Sequence, residues 1–369
     1  MTTAAPATTG AGPVGAAGDE LVLTAWSAVT PFGLDRAEFG AGVLAGRTAV
    51  GELDREQYPG PYARAGLVPG FSAAEALGRK GTRTMDRVTA LAVTAVDRLI
   101  AECGPGLLER PERVGLVLGT GHGSVQSIMD FTRDSLTGEK PYHVDPARFP
   151  NTVMNRAAGQ SAIWHGIKGP NSTIAGGRLT GLLALNYAAR LHRGGHCDQV
   201  ICGAAEEYSV QRAWLEWAGG TGAEELGEGG TVVLLESAAG AAAAGRRPLA
   251  RLLGVRFRAH QGPGTAGAAL TACVRAALER AGRSAEEVRL VAPLGGDEEW
   301  DAVVEALGGA APRRLDCRPL TGDTAAAATS LQLAAVLASV ERGELSEGQL
   351  ALVTGTDRDG QVGCAVLGV

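Results

Sequence analysis

An α/β fold made of two similar halves is what this sequence predicts, and three observations predict it. Short apolar runs of strand length alternate with longer segments in which apolar residues recur at helical spacing. A low-complexity stretch, "AAGAAAAGRR" at 238–247, interrupts that alternation, and the same strand–helix order resumes beyond it. The two sides also share a signature: "LTG" precedes a long helical pattern at 179–181 and again at 320–322, and each pattern closes on Arg-Gly.

The elements follow in order. Residues 1–19, rich in Ala, Thr, Gly and Pro, read as a disordered tail; with neither a basic region nor an apolar core they are no signal peptide. An N-terminal half is expected over 20–247. It opens with a strand at 21–26 and a helix from Asp35 to Leu44. Val88, Leu91, Ala92, Ala95, Val96 and Leu99 mark one face of a helix over 85–102. "RVGLVLGT" (113–120) is a buried strand, Ser124 to Ser135 a helix, and Asn151 to His165 a further helical segment. Strands at 198–206 and 230–237 complete this half. The C-terminal half, 248–369, repeats the order: strand 250–257, helix Ala266 to Arg280, strand 288–293, helix Glu298 to Leu307, helix Asp323 to Glu341, and strands 349–354 and 362–368. The alternation implies a mostly parallel core.

Composition narrows the function. The 369 residues are 20% charged with a formal net charge of −6, which suits a large core and argues against a nucleic-acid partner. No apolar run has the length to span a bilayer. The six cysteines, Cys103, Cys197, Cys202, Cys273, Cys317 and Cys364, show no ligand spacing and read as reduced thiols of a cytoplasmic protein. His192 and His196 stand four apart among Arg193 and two glycines, which is a solvated helix end rather than a metal site.

The stretch "GPNSTIAGGRLTGLLAL" (169–185) poses the functional question. A β-branched segment turns through small residues into a helical pattern, the setting in which a helix N-terminus favours an anionic nucleophile. The residue at the turn is Arg178, a cation whose guanidinium stays protonated and cannot attack.

At this stretch the sequence resembles the β-ketoacyl synthase family of the thiolase superfamily. "FPNTVMNRAAGQSAIWHGIKGPNSTI" (149–174) carries the resemblance most specifically, and "LTAWSAVTPFG" (23–33), "MDRVTALA" (85–92), "GLVLGTGHGS" (115–124) and "GEGGTVVLLE" (227–236) match in order, so that it covers roughly 20–369. The resemblance implies a thiolase-like five-layer αβαβα fold from two duplicated halves, working as a dimer. The family's chemistry uses a cysteine at a helix N-terminus, two histidines that assist decarboxylation and stabilise the carbanion and oxyanion, and a supporting lysine. Here the cysteine position falls on Arg178, the lysine on Arg318 and the second histidine on Asp323. The loop of the first histidine is missing from "LVAPLGGDEEW", and the C-terminal gating turn is reduced to "DRDGQ" (357–361). The resemblance therefore implies degenerate positions Arg178, Arg318 and Asp323, with Arg178 and Asp323 forming an ion pair that plugs the site.

Within the family the chain is most similar to the chain-length factors of type II polyketide synthases, which lack the cysteine; aromatic-polyketide members carry glutamine where this chain has Arg178. That similarity implies a catalytic ketosynthase as heterodimer partner and an acyl carrier protein whose phosphopantetheine arm carries the substrates. It implies no bound cofactor. It also implies a tunnel end on the helix near 123–136, lined by Val125, Ile128 and Thr132 with Met129 beside them, at the three-and-four spacing of one helical face. Two other readings stand beside it: a thiolase-fold acyltransferase with relocated groups, for which His122, Ser124 and Asp130 are the candidates, and a homodimeric scaffold. For His122 the plainer expectation is a residue lining a buried surface after the strand.

Overall fold

The computed structural model describes residues 20–221 and 224–369; the expected tail at 1–19 lies outside them. In chain order the strands are β1 (Leu21–Val29), β2 (Gly51–Glu52), β3 (Arg64–Gly66), β4 (Val114–Gly119), β5 (Asn171–Ile174), β6 (Gln199–Glu206), β7 (Leu226–Gly227), β8 (Gly229–Ser237), β9 (Ala250–Ala259), β10 (Val288–Ala292), β11 (Arg313–Arg314), β12 (Leu350–Thr356) and β13 (Gln361–Gly368). The helices are α1 (Arg36–Leu44), α2 (Ala73–Leu77), α3 (Arg87–Cys103), α4 (Val125–Thr137), α5 (Arg156–His165), α6 (Thr180–Arg193), α7 (Val210–Glu216), α8 (Ala238–Ala243), α9 (Pro263–Ala281), α10 (Asp297–Ala306), α11 (Arg318–Thr321) and α12 (Ala328–Glu341).

Ten strands lie in the order β11-β10-β12-β13-β9-β1-β8-β6-β4-β5. Taken from the two ends inward, β5-β4-β6-β8-β1 and β11-β10-β12-β13-β9 are the same topology, one from residues before 240 and one from residues after 249. Their strands pair through Val22–Arg251 and Leu23–Ala250. The core is less parallel than the alternation implied. β4 runs parallel to β5 and β6, and β10 to β11 and β12, but β1, β8, β9 and β13 pair antiparallel.

Five layers follow from which face each strand residue buries. Alternation along β4 sends Leu116 and Leu118 outward into the cluster that α3 and α5 fill, while Val117 points inward with Leu182 and Leu185 of α6. On the other sheet Leu352 and Val366 pack outward against α9 and α10, and Val353 and Ala365 pack inward against α12. α12 is buried all round, with every residue from Ala328 to Ser339 inside and only Thr329, Ser330, Gln332 and Ser339 polar among them, as suits a helix between two sheets. Each fully buried leucine there, such as Leu337, contributes about 1.5–3 kcal/mol. α6 crosses α12 closely: a Cβ on Gly181 would stand 2.5 Å from the Ser330 nitrogen.

Four expectations need correction. The shared "LTG" is no topological echo. The first opens α6, whereas the second ends α11, six residues ahead of α12. The helix expected from Asp323 starts at Ala328, because Asp323 is drawn into a bridge with Leu226. The segment expected helical from Asn151 is a 3-10 turn, Pro146–Thr152, followed by α5 at Arg156, Pro150 being unable to supply an N–H to a helical ladder. The low-complexity bend at 238–247 begins with α8, capped by the Ser237 hydroxyl.

Candidate functional site

β5 runs through Gly176 into a single 3-10 turn, Gly177–Leu179, that opens α6. Arg178 sits on that turn. Its Nη2 donates to Glu224 Oε2 at 2.6 Å and to Asp323 Oδ2. The Arg178 side chain is 14% exposed and that of Asp323 5%. Asp323 is fixed from behind: Arg212 Nη2 donates to its carbonyl at 3.0 Å, and its Oδ1 accepts from the Ala325 N–H at 2.9 Å. Glu224 also accepts from Arg318 Nη1 at 3.1 Å and lies 3.8 Å from Arg358, so three guanidinium groups share this one carboxylate.

A second feature fills the helix terminus. Asp357 Oδ2 accepts the backbone N–H of Arg178, and a Cβ on Gly177, at φ +56°, would overlap that carboxylate. The N–H that could hold a substrate oxyanion is thus occupied by an acid of the same chain, which also offsets the helix dipole. Burial raises the Asp323 carboxyl, but the charge and hydrogen bond of Arg178, with Arg212 behind, outweigh it and hold Asp323 below its ordinary range. Burial likewise disfavours the Arg178 cation, and Asp323 and Glu224 more than restore it.

No nucleophile is free at the turn. Thr180 Oγ1 donates to the Gly177 carbonyl at 2.6 Å and accepts from the Gly176 N–H at 2.9 Å; Thr329 Oγ1 donates to the Arg178 carbonyl at 3.1 Å. All six thiols are free, and burial pushes Cys202 and Cys317 up to about 12, away from the thiolate. Between β10 and α10 only residues 293–296 intervene, and Glu299, buried, ties that turn by accepting from Leu294 and Gly295 N–H groups at 3.0 and 2.9 Å.

The expected pairing of Arg178 with Asp323 forms, and Arg318 joins the cluster through Glu224 rather than through Asp323. Glu224, Asp357, Arg358 and Arg212 were not anticipated; the run of alternating charge at 357–359 was the available signal. His260 was also missed: its Nε2 lies 3.0 Å from the Asp357 carbonyl and its Nδ1 3.1 Å from that of Gly262. His122, Ser124 and Asp130 share no hydrogen bond with one another. His122 is exposed, contrary to the buried surface expected for it. Ser124 caps α4 and donates to Glu207, and Asp130 is held by Gln126 at 2.6 Å and Arg133 at 2.8 Å. Among the described residues no cluster could ligate a metal, and no helix is long and apolar enough to cross a membrane.

The helix expected near 123–136 is α4. Its stripe runs from the inside out: Val125 is buried, Ile128 half-buried, and Met129 and Thr132 exposed. Around it Leu136, Tyr142, Phe149, Met154 and Ile163 are also exposed, along a surface that continues from α4 over the 3-10 turn to α5. β5 closes that surface as the last strand of the sheet.

Residues 19–240, more than half of the chain, match the family model "Beta-ketoacyl synthase, N-terminal domain". The chain belongs to the β-ketoacyl synthase family. It is 25% identical over 347 residues to a 3-oxoacyl-[acyl-carrier-protein] synthase 2 of Vibrio cholerae, covering 85% of this chain and 84% of that one. Among solved structures it is similar to the ishigamide ketosynthase/chain length factor, at 43% identity and TM-score 0.86 over 95% of this chain and 99% of the other. A type II PKS acyl-carrier protein in complex with its ketosynthase matches in fold, at 19% identity and TM-score 0.79 over 95% and 99% of the two chains.

Proposed function

We propose that this chain is a non-catalytic, chain-length-factor-type subunit that pairs with a catalytic ketosynthase in a type II polyketide synthase. It works in the cytoplasm on chains held by the phosphopantetheine arm of an acyl carrier protein. The observation that carries this reading is the closed α6 terminus. Arg178 stands where the family has its nucleophile, Asp323 and Glu224 neutralise it, and Asp357 takes the N–H that an acyl oxygen needs. The degenerate positions Arg178, Arg318 and Asp323 then serve as a plug. The similarity to a ketosynthase/chain length factor supports the same reading. So does the apolar surface beside β5, which offers a partner both side chains and an open strand edge. On α4, Val125, Ile128, Met129 and Thr132 line the end of the shared tunnel.

The test is acyl loading followed by mass spectrometry. The purified chain, incubated with acyl-carrier thioesters, gains no acyl mass and condenses nothing; a stoichiometric adduct on it overturns the proposal. Co-expressed with a cysteine-bearing ketosynthase of its own pathway, it co-purifies as a one-to-one complex that carries the acyl group on the ketosynthase chain.

A further inference from the structure

Three guanidinium groups from three separate elements converge on Glu224. Its Oε2 accepts from Arg178 Nη2 at 2.6 Å, its two oxygens accept from Arg318 Nη1 at 3.1 and 3.2 Å, and Arg358 Nη2 stands 3.8 Å from Oε1. Arg178 comes from the turn before α6, Arg318 from the start of α11 and Arg358 from the link between β12 and β13. Their other acid partners differ. Arg178 also has Asp323, whereas Arg318 and Arg358 have no acid but Glu224 among the described residues.

The three acids of this cluster do different things. Asp323 is buried and its Oδ1 accepts the Ala325 N–H, so its carboxylate is part of the fold. Asp357 is also buried and gives both oxygens to backbone, accepting from the N–H groups of Arg178 and Asp359. Glu224 differs from both. Among the described residues every hydrogen bond its carboxylate accepts comes from an arginine, and its side chain is 33% exposed. Its chain neighbour is the anchored residue: Glu225 pairs with Arg64 at 2.7 Å, and its carbonyl accepts the Asp323 N–H at 2.8 Å. The Glu224 carboxylate thus supplies charge and acceptor oxygens and nothing else. Solvent screens pairs as exposed as this one, so the side chain swings out at low cost.

We propose that Glu224 holds the seat of an external phosphate group, which displaces it and is bound by Arg178, Arg318 and Arg358. The chemistry selects a dianion. A single carboxylate from solution offers nothing that Glu224 lacks, and Glu224 is tethered, at an effective concentration on the order of millimolar. A phosphate brings a second charge, and its oxygens suit the bidentate fork of a guanidinium. It also answers the two cations that a displaced Glu224 leaves without an acid. Solvent reaches the seat on the side of Arg358, whose side chain is 49% exposed. The inference deepens the reading of this terminus as closed and rests on it, because Arg178 must stay a cation that no acyl transfer needs; acyl loading tests that reading by itself.

Calorimetric titration of the full chain, alone or in the complex in which it purifies, tests this with two probes, inorganic phosphate and glycerol 3-phosphate, at about pH 8 where both are largely dianions. Chloride at matched ionic strength is the blank. The wild-type chain takes up one phosphate. Glu224→Gln removes the tethered competitor and should tighten binding by about tenfold or more. Arg358→Gln, made on its exposed turn in the Glu224→Gln chain, should weaken it again. Tighter binding of glycerol 3-phosphate supports the seat and assigns it to an ester; tighter binding of inorganic phosphate supports it and assigns it to the free ion. Heats that chloride reproduces, equal affinity in wild type and Glu224→Gln, or binding untouched by Arg358→Gln overturn the proposal. A chain that binds no phosphate and still gains no acyl mass loses this inference alone, so the two readings fail separately.

Discussion

Arg178 carries its charge to the end of a helix whose dipole opposes it, and three carboxylates, from Asp323, Glu224 and Asp357, surround it. They are not equal. Asp323 is buried and Glu224 is a third exposed on its side chain. Removing Asp323 strands a buried guanidinium, so Asp323→Ala should cost about 3–5 kcal/mol in urea unfolding. Glu224→Gln, screened by solvent, should cost no more than about 1 kcal/mol. Acid should act through the same contact. Arg178 holds the Asp323 carboxyl below its ordinary 3.8, so its contribution is complete above that value and is lost as pH falls through the lowered one. Asp323→Asn should therefore flatten stability against pH below about 4. An acid limb of the same slope in that variant shows that other carboxylates dominate. The Arg178–Asp323 contact was legible because both residues fall on positions a family motif marks. Glu224 and Asp357 were not, because each reaches the site from a surface segment whose direction only the folded chain determines.

α4 shows the same division at the scale of an element. Its start was legible: Ser124 is an N-cap type residue and its hydroxyl accepts the Ser127 N–H at 3.2 Å. What covers it was not legible, since three-and-four spacing describes core and interface alike. The gradient of burial now separates two kinds of variant. Val125→Phe enlarges a buried side chain and should lower stability by about 1–3 kcal/mol as well as shorten the product of the reconstituted pair. Thr132→Phe, on the exposed end, should shorten the product with little change in melting temperature, and Ile128→Ala should lengthen it by at least one extension unit. Product mass with melting temperature as control gives the answer; unchanged lengths in all three place length control elsewhere. The strand order was legible in outline, but the antiparallel placement of β1, β8, β9 and β13 was not, because the side-chain period of a strand is the same whichever way its neighbour runs.

At the scale of the whole molecule, two sheets of like topology enclose α6 and α12, and this core is complete within one chain. The surface is not complete in the same way. Met129, Leu136, Tyr142, Phe149, Met154 and Ile163 are large, apolar and 43–80% exposed, and they lie along α4, the 3-10 turn and α5, with β5 as the sheet's last strand. Isolated exposed apolar residues are ordinary, but a run of them beside a free strand edge is a hazard unless another chain covers it. A partner that adds a strand to β5 and covers these side chains should bury more than roughly 2,000 Å² in total, the range of obligate pairs. Such pairs draw part of their stability from association, so melting of the chain alone should depend on its concentration or give way to aggregation. The ketosynthase complex should melt higher and reversibly. Replacing two exposed residues at once, as in Leu136→Glu with Ile163→Lys, should improve the solubility of the isolated chain and abolish co-purification with the ketosynthase. Sedimentation velocity at micromolar concentration distinguishes the cases. A wild-type chain that stays a soluble monomer across a hundredfold dilution, with the double variant still binding the ketosynthase, removes this face as the site of assembly.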